Sequence, residues 1–202
     1  KTSLAEVLLH QAGAIGAPGS LERGSTVSDF DPVERRMQHS LNSAVLHLSL
    51  TDKATQTTTQ VHLIDTPGAP DFLGQSLPAL EAVETAAVVI NAMTGIEPMA
   101  VRMMEYAASR HLDRMIIVNK IDAQGVDLAA LLAQIQATFG RECLPLNLPA
   151  QGGAAVVDCF YNRDGEADFS SVDAAHRALV EQVVEVDGDF VDVQQRDVAA
   201  GL

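Results

Sequence analysis

The chain has 202 residues, with 13 Lys plus Arg against 27 Asp plus Glu, a formal net charge of −14. Its 47% apolar content excludes a disordered chain, and its acidic balance excludes a protein whose whole surface coats nucleic acid. Folding at this length buries roughly 70% of the unfolded surface, so the core needs no metal or disulfide staple; with 4% aromatics and no Trp it must be aliphatic and alanine-rich.

Residues 3–12 carry apolar Leu4, Val7 and Leu8 at helical spacing, and Gly13 with Gly16-Ala17-Pro18-Gly19 stops that helix. Residues 17–43 are polar and show no sustained period, so they read as a long surface segment of the functional or mobile kind. Residues 44–50 alternate, with Val45 and His47 against Leu46, Leu48 and Leu50, which predicts a half-buried strand. Asp52 to Gln56 supplies a turn, and Thr57 to Ile64 a second strand paired to the first as a hairpin. A helix follows near 73–83, then an apolar strand Ala86 to Ile90, a helix near 98–110 and an apolar strand Met115 to Val118. These two strands do not alternate and are rich in Val and Ile, as strands buried on both faces are. A helix at 127–138 carries Leu128, Leu131, Leu132 and Ile135. From about 143 the pattern loosens at Pro145, Pro149 and Gly152-Gly153. It yields only a strand near Ala154 to Phe160 and a helix Asp173 to Val186. Alternating strand and helix predicts an α/β fold with a doubly wound, mostly parallel sheet. The piece from 143 on reads as a small appended α/β subdomain.

Cys143 and Cys159 have neither metal-ligand spacing nor the density of a disulfide framework, and read as buried reduced thiols. The sequence has no run of about 18 apolar residues, so no membrane span is expected, and no basic-then-apolar leader opens the chain. A soluble cytoplasmic protein without membrane contact is therefore expected. The chain opens on Lys1-Thr2 without Met, already at a helix start, so a further element is expected upstream.

Three short stretches carry chemistry. Lys1-Thr2 stands where a phosphate-binding loop would end: lysine for the terminal phosphates, a hydroxyl for Mg²⁺, and the partial positive charge of a helix N-terminus. The dipeptide alone says little, because the glycines of such a loop are not in the chain. Asp65-Thr66-Pro67-Gly68 directly follows the strand ending at Ile64. A carboxylate there can hold a metal through water, and Gly68 can offer an open N–H to a phosphate; taken alone, the stretch fits an ordinary turn equally well. Asn119-Lys120-Ile121-Asp122 directly follows the strand ending at Val118. An aspartate accepts two hydrogen bonds at once, and guanine presents N1–H and an exocyclic amine side by side. Adenine presents neither, so such a site rejects it. Asn119 can meet the base edge and the Lys120 stem can cover the ring. The order of the three, each at a strand or helix end, is what makes them specific, since ligands gather at the carboxyl ends of strands in open α/β sheets.

On these residues the chain resembles a translational GTPase, most closely the G domain of elongation factor G or an elongation factor G-like paralogue. Asp29-Phe30-Asp31-Pro32-Val33-Glu34-Arg35-Arg36 with His39 to Ala44 resembles the first switch. Ile64 to Gly68 with Asp71-Phe72 resembles the second, Ala92 to Pro98 resembles the turn after the fourth strand, and the segment from 143 resembles the insert within that G domain. The resemblance implies a P-loop GTPase core over 1–142, an insert over 143–202, and GTP or GDP with Mg²⁺ as cofactors. It implies Lys1 on the β- and γ-phosphates, and Thr2 and Ser40 as Mg²⁺ ligands, with Ser40 also sensing the γ-phosphate. Asp65 would hold the metal through water, the Gly68 N–H would meet the γ-phosphate, and Asn119, Lys120 and Asp122 would select guanine. Lys1, Ser40 and Gly68 are thereby the catalytic set, with the ribosome as partner of the full protein and no sequence-specific nucleic-acid binding by this domain.

Three departures matter. Ala69 stands where the family places a histidine that positions the attacking water, which implies weak hydrolysis. Ser40 replaces a threonine, preceded by Met37-Gln38 in place of arginine-glycine. Between Asp122 and Leu202 no Ser-Ala motif, the fifth guanine-binding element of the family, occurs. A non-hydrolysing guanine-nucleotide adaptor and a ribosomal protection or release factor of the same superfamily are the rival readings. An ATP-using P-loop enzyme is disfavoured by Asn119 and Asp122. His10, His47, His62, His111 and His176 lack metal spacing, His39 lies in the switch-like stretch, and Glu181 to Asp192 reads as a solvated acidic face.

Overall fold

The computed structural model describes residues 1–52 and 55–186. Lys53 and Ala54 of the expected turn, and everything beyond Val186, including the end of the acidic stretch, lie outside the described residues. The chain divides into two compact units, one of residues 1–89 with 98–117, the other of residues 90–97 with those from 118 on.

In the first unit α1 spans Thr2–Gln11. Ala5 and Leu9 form its buried face and pack on Leu46 and Leu48, with Val61 and Leu63 beside them. Those partners come from β1 (Ala44–Thr51) and β2 (Thr58–Asp65), an antiparallel pair in the register Ala44↔Asp65 through Thr51↔Thr58. Ala44, Leu46 and Leu48 are buried while Val45 and His47 are exposed, as the alternation requires. The same register ends β2 on a buried Asp65.

Residues 17–43 are not the plain surface segment their polarity suggests. A short helix α2 (Pro32–Met37) starts at Asp31 with a capping box: Asp31 accepts from the Val33 N–H at 2.7 Å, and Glu34 accepts from the Asp31 N–H at 3.1 Å. Glu34 is only 1% exposed, and its other oxygen accepts from the Leu41 and Asn42 N–H groups at 2.9 and 2.8 Å. Glu6, equally buried, reaches out of α1 to accept from the Gly19 and Val27 N–H groups at 2.8 and 2.6 Å. Two buried carboxylates thus satisfy backbone donors that no strand or helix satisfies. Apolar periodicity is blind to that kind of anchor.

The helix expected near 73–83 is broken. A 3₁₀ turn (Pro70–Phe72), a four-residue helix α3 (Leu73–Ser76) and a second 3₁₀ turn (Pro78–Ala82) replace it. Pro78 has no N–H to give, and its ring obstructs the preceding turn. Next come β3 (Thr85–Asn91), α4 (Pro98–Ser109) and β4 (Asp113–Asn119). Leu80, Ala86 and Ala107 make a second small core there, with Met103 and Leu112 against it. β3 pairs with β4. The Asp113 N–H meets the Glu84 carbonyl at their starts and the Ala92 N–H meets the Asn119 carbonyl at their ends, so they run in the same direction. A crossover helix between paired strands demands this. The two are less buried than their Val and Ile content suggests: Ala87 is exposed, as are Asp113, Arg114 and Met115.

In the second unit α5 (Leu128–Phe139) is capped by Asp127, which accepts from the Ala130 N–H at 2.9 Å, and it ends at Gly140. A hairpin of β5 (Asn147–Ala150) and β6 (Ala155–Asp158) and the helix α6 (Val172–Val186) follow. β5 is a strand the sequence does not announce, because Pro149 lies inside it; a two-stranded pair has open edges where Pro is tolerated. Leu148, Cys159 and Val172 are at most 2% exposed and pack with Ala175 and Leu179 of α6. Cys159 is thus a buried thiol, whose pKa burial raises, while the Cys143 thiol is only half-buried. The described strands form three two-stranded pairs, two of them antiparallel, in an α/β arrangement. The antiparallel pairs are hairpins closed by short turns, a connection that forbids parallel pairing. Among the described residues no helix is long and apolar enough to cross a membrane.

Leu148→Ala removes a fully buried side chain at the centre of the second unit's core. It is expected to cost about 3 kcal/mol, read as a lower denaturation midpoint in urea at an unchanged slope.

Candidate functional site

In the first unit, four of the sequence-predicted residues meet at the start of α1. Thr2 opens the helix, Asp65 ends β2, and Ser40 closes the polar segment just before β1. The Thr2 hydroxyl donates to Asp65 Oδ2 at 2.7 Å, and its oxygen lies 3.3 Å from Ser40 Oγ. Lys1 Nζ lies 4.0 Å from Asp65 Oδ1 and donates to the Thr66 carbonyl. Burial lowers the Lys1 pKa, and the carboxylates of Asp65 and Asp29 oppose that shift without cancelling it.

Asp29 is the residue whose part the sequence leaves open. It is 2% exposed; Oδ1 accepts from the Ser40 hydroxyl at 2.6 Å and Oδ2 from the Thr26 hydroxyl at 2.8 Å. A polar chain therefore runs Asp65, Thr2, Ser40, Asp29, Thr26. A hydroxyl has one hydrogen and two lone pairs. Thr2 directs its hydrogen to Asp65 and Ser40 directs its own to Asp29. The two oxygens thus face each other across 3.3 Å with lone pairs and no shared hydrogen. Flanking carboxylates complete a set of hard oxygen donors, the set Mg²⁺ takes.

The loop after β2 is pinned by Ser76, whose buried hydroxyl donates to the Pro67 carbonyl at 2.9 Å. Gly68 is exposed beside Lys1 Nζ, and its N–H donates to no described residue. Ala69 brings no polar group. His39, next to Ser40, sets its ring edge-on to Phe72 with centroids 5.9 Å apart. The two switch-like stretches thus touch.

In the second unit, Asn119 ends β4. Its side-chain oxygen accepts from the Lys120 N–H at 2.9 Å, and its backbone carbonyl accepts from Ala92. Lys120 takes a left-handed φ of 60°, and the Ala123 N–H closes a turn on the Lys120 carbonyl at 3.2 Å. Lys120 and Asp122 are exposed at this turn. Two further residues bear on it. Gly153, buried at φ +82°, lies so close to the turn that a Cβ there would sit 2.2 Å from the Ile121 carbonyl oxygen. Asp168 holds the neighbouring loop. The Gly152-Gly153 pair is the only trace of this in the sequence, and it reads there merely as a loop.

Ser40→Ala strips one charge-assisted donor from the buried Asp29 carboxylate. The expected loss is about 2 kcal/mol of stability, measured by chemical denaturation, with Thr2→Ser near neutral in the same assay.

The family model described as the elongation factor Tu GTP binding domain matches residues 1–195. An elongation factor G-like protein of Mycobacterium tuberculosis is 32% identical over 94% of this chain and 27% of its own length. Peptide chain release factor 3 of Symbiobacterium thermophilum is 28% identical over 94% of this chain and 40% of its own. An oxytetracycline resistance protein of Streptomyces rimosus is 33% identical over 76% of this chain and 22% of its own. The chain therefore spans well under half the length of these curated relatives. A crystal structure from Thermus thermophilus superposes with a TM-score of 0.80 and 29% identity, covering 97% of this chain and 31% of that one. A family match over nearly the whole sequence and a shared fold at this similarity lead to one statement: the chain belongs to the family of elongation factor Tu GTP-binding domains.

Proposed function

We propose that this chain is the G domain of an elongation factor G-like translation factor, binding GTP and GDP with Mg²⁺ and hydrolysing GTP slowly. The observation that carries the reading is the meeting of Thr2, Ser40 and Asp65 at the head of α1, with Lys1 beside them. Asp65, which motif order singles out, and Ser40, which the resemblance implies, lie 63 and 38 positions from Thr2 and fold to within hydrogen-bond reach of it. The expected doubly wound, mostly parallel sheet over 1–142, with β1–β2 as its antiparallel pair, and the insert over 143–202 belong to the same proposal. The separate core around Leu148 supports an insert with its own stability.

The donor set fits Mg²⁺: Thr2 and Ser40 supply neutral oxygens, and Asp65 supplies a carboxylate able to act through water. When bound, the ion supplies charge neutralisation to the phosphates. Lys1 adds a cation for the β- and γ-phosphates. Its pKa, lowered by burial, would rise again beside a phosphate. The open N–H of Gly68 donates to the γ-phosphate. Because the Ser40 hydroxyl bonds Asp29, turning it to the γ-phosphate side couples nucleotide state to the polar segment 26–43, an order change of the kind GTPase switches use. In the second unit Asp122 accepts from guanine N1–H and the exocyclic amine, Asn119 meets the base edge, and Lys120 covers the ring.

A water molecule is the nucleophile. Its oxygen bonds to the γ-phosphorus, the bond to the β–γ bridging oxygen breaks, and the water's proton leaves to solvent or phosphate. Ala69 can neither orient that water nor stabilise charge, which leaves positioning and electrostatics to Lys1, Ser40, Gly68 and the bound ion. The same alanine favours the second reading, a guanine-nucleotide adaptor that does not hydrolyse. The ribosome is the proposed partner of the full protein, in the cytoplasm, and Phe30 and Met37, each 60% exposed on the switch-like segment, offer apolar surface for a macromolecular contact.

Asp122→Asn replaces a double acceptor by one acceptor and one donor. GDP affinity is expected to fall by roughly 10²-fold or more while xanthosine diphosphate gains; equal GDP binding by calorimetry would sink the guanine reading. Ala69→His is expected to raise ribosome-stimulated phosphate release by about 10²-fold. No gain in that assay favours the adaptor.

A further inference from the structure

The guanine-reading turn is supported from outside its own motif. Asp168 lies on the connection between β6 and α6 and ties that connection to the β5–β6 hairpin. Its N–H donates to the Pro149 carbonyl at 2.8 Å, and its carboxylate accepts from the N–H groups of Gly152 and Gly153, each at 2.9 Å. Gln151, just before the two glycines, is also in the left-handed region, at φ 56°. Gln151, Gly152 and Gly153 thus hold positive φ in succession, and a carboxylate accepting two successive N–H groups stabilises such a backbone path.

The loop so held presses on the turn that carries Asp122. A Cβ at Gly153 would stand 2.2 Å from the Ile121 carbonyl oxygen and 3.0 Å from the Asp122 nitrogen. Only a residue without a side chain can lie there, and the contact is backbone against backbone. Asp122 itself is exposed, and packing does not fix its carboxylate. The direction of that carboxylate is therefore set by the Ile121-Asp122 backbone, and that backbone rests on Gly153.

We infer that Asp168 is a positioning residue for guanine recognition: by fixing Gly152 and Gly153 it seats the loop that holds the Ile121-Asp122 peptide, and so aims the Asp122 carboxylate. This rests on the guanine-binding role proposed for Asp122 and extends it to a residue far along the chain that touches no nucleotide. The Asp168 side chain does not act on the base; it acts on the angle at which Asp122 meets the base. A two-point contact is sensitive to that angle, because misalignment loses the second hydrogen bond before the first.

The test compares GDP with inosine diphosphate, which keeps N1–H and lacks the exocyclic amine. Their affinity ratio reads the second hydrogen bond of Asp122 alone. In the full-length protein, Asp168→Ala is expected to lower the GDP to inosine diphosphate ratio by about tenfold, with the unfolding midpoint of the first unit and Mg²⁺ dependence unchanged. Asp168→Asn keeps one acceptor and is expected to fall between the two. Gly153→Ala lowers the ratio by the independent route of displacing Ile121, which keeps the inference testable if Asp168→Ala does not fold. Glu166→Gln, on the same connection, leaves the ratio as it is. A ratio unchanged in folded Asp168→Ala and Gly153→Ala proteins overturns the positioning role while the guanine reading stands. A wild-type protein that does not distinguish GDP from inosine diphosphate overturns both.

Discussion

A buried carboxylate has to be surrounded by donors, and that constraint organises the first unit. Glu6, Asp29, Glu34 and Asp65 are each at most 7% exposed. Backbone N–H groups satisfy Glu6 and Glu34, and hydroxyls satisfy Asp29 and Asp65 at closer range than the Lys1 ammonium does. Charge-assisted bonds of this type are roughly twice as strong as neutral ones. They hold a non-periodic stretch of chain against α1 and the β1–β2 hairpin without an apolar stripe.

The same arrangement explains why the corner suits a ligand that brings its own charge. Thr2 and Ser40 are bonded to carboxylates through their hydrogens and hold their lone pairs toward each other. A cation placed there changes no proton count. Turning Ser40 away from Asp29 removes one hydrogen bond from that carboxylate, and it also releases the segment that Asp29 and Thr26 anchor. The structural anchor and the proposed sensor of the nucleotide are one hydroxyl. Relative to the threonine that the resemblance implies at this position, Ser40 keeps the hydroxyl and drops only a methyl group.

The second unit solves a different problem with different means. Its turn after β4 holds Asp122 at the surface, where no packing of the side chain fixes it. Rigidity comes instead from the backbone, through the Asn119 bond to Lys120, the left-handed Lys120 and the close approach of Gly153. Glycine is needed there for lack of space as well as for φ.

Elements with a clear period, and the short motifs at their ends, are legible in the amino-acid order alone. The alternation around Leu46 and Leu48, the helix of Ala5 and Leu9, and the stretches at Lys1, Asp65 and Asn119 each depend on neighbours a few positions away. The family follows from the order of those motifs. The break at Pro78, the strand through Pro149 and the partial exposure of β4 are not legible in this way, since they depend on what lies across a sheet edge or beside a turn. Least legible are Asp29, Glu34, Gly153 and Asp168. Each works through hydrogen bonds or contacts to residues outside its own stretch, and polar residues leave no periodic trace of where their partners will be. Folding alone settles that Asp29, Glu34 and Gly153 are buried and that the exposed Asp168 carboxylate meets the Gly152 and Gly153 N–H groups, because only a folded chain brings such distant partners together and removes water from the buried ones.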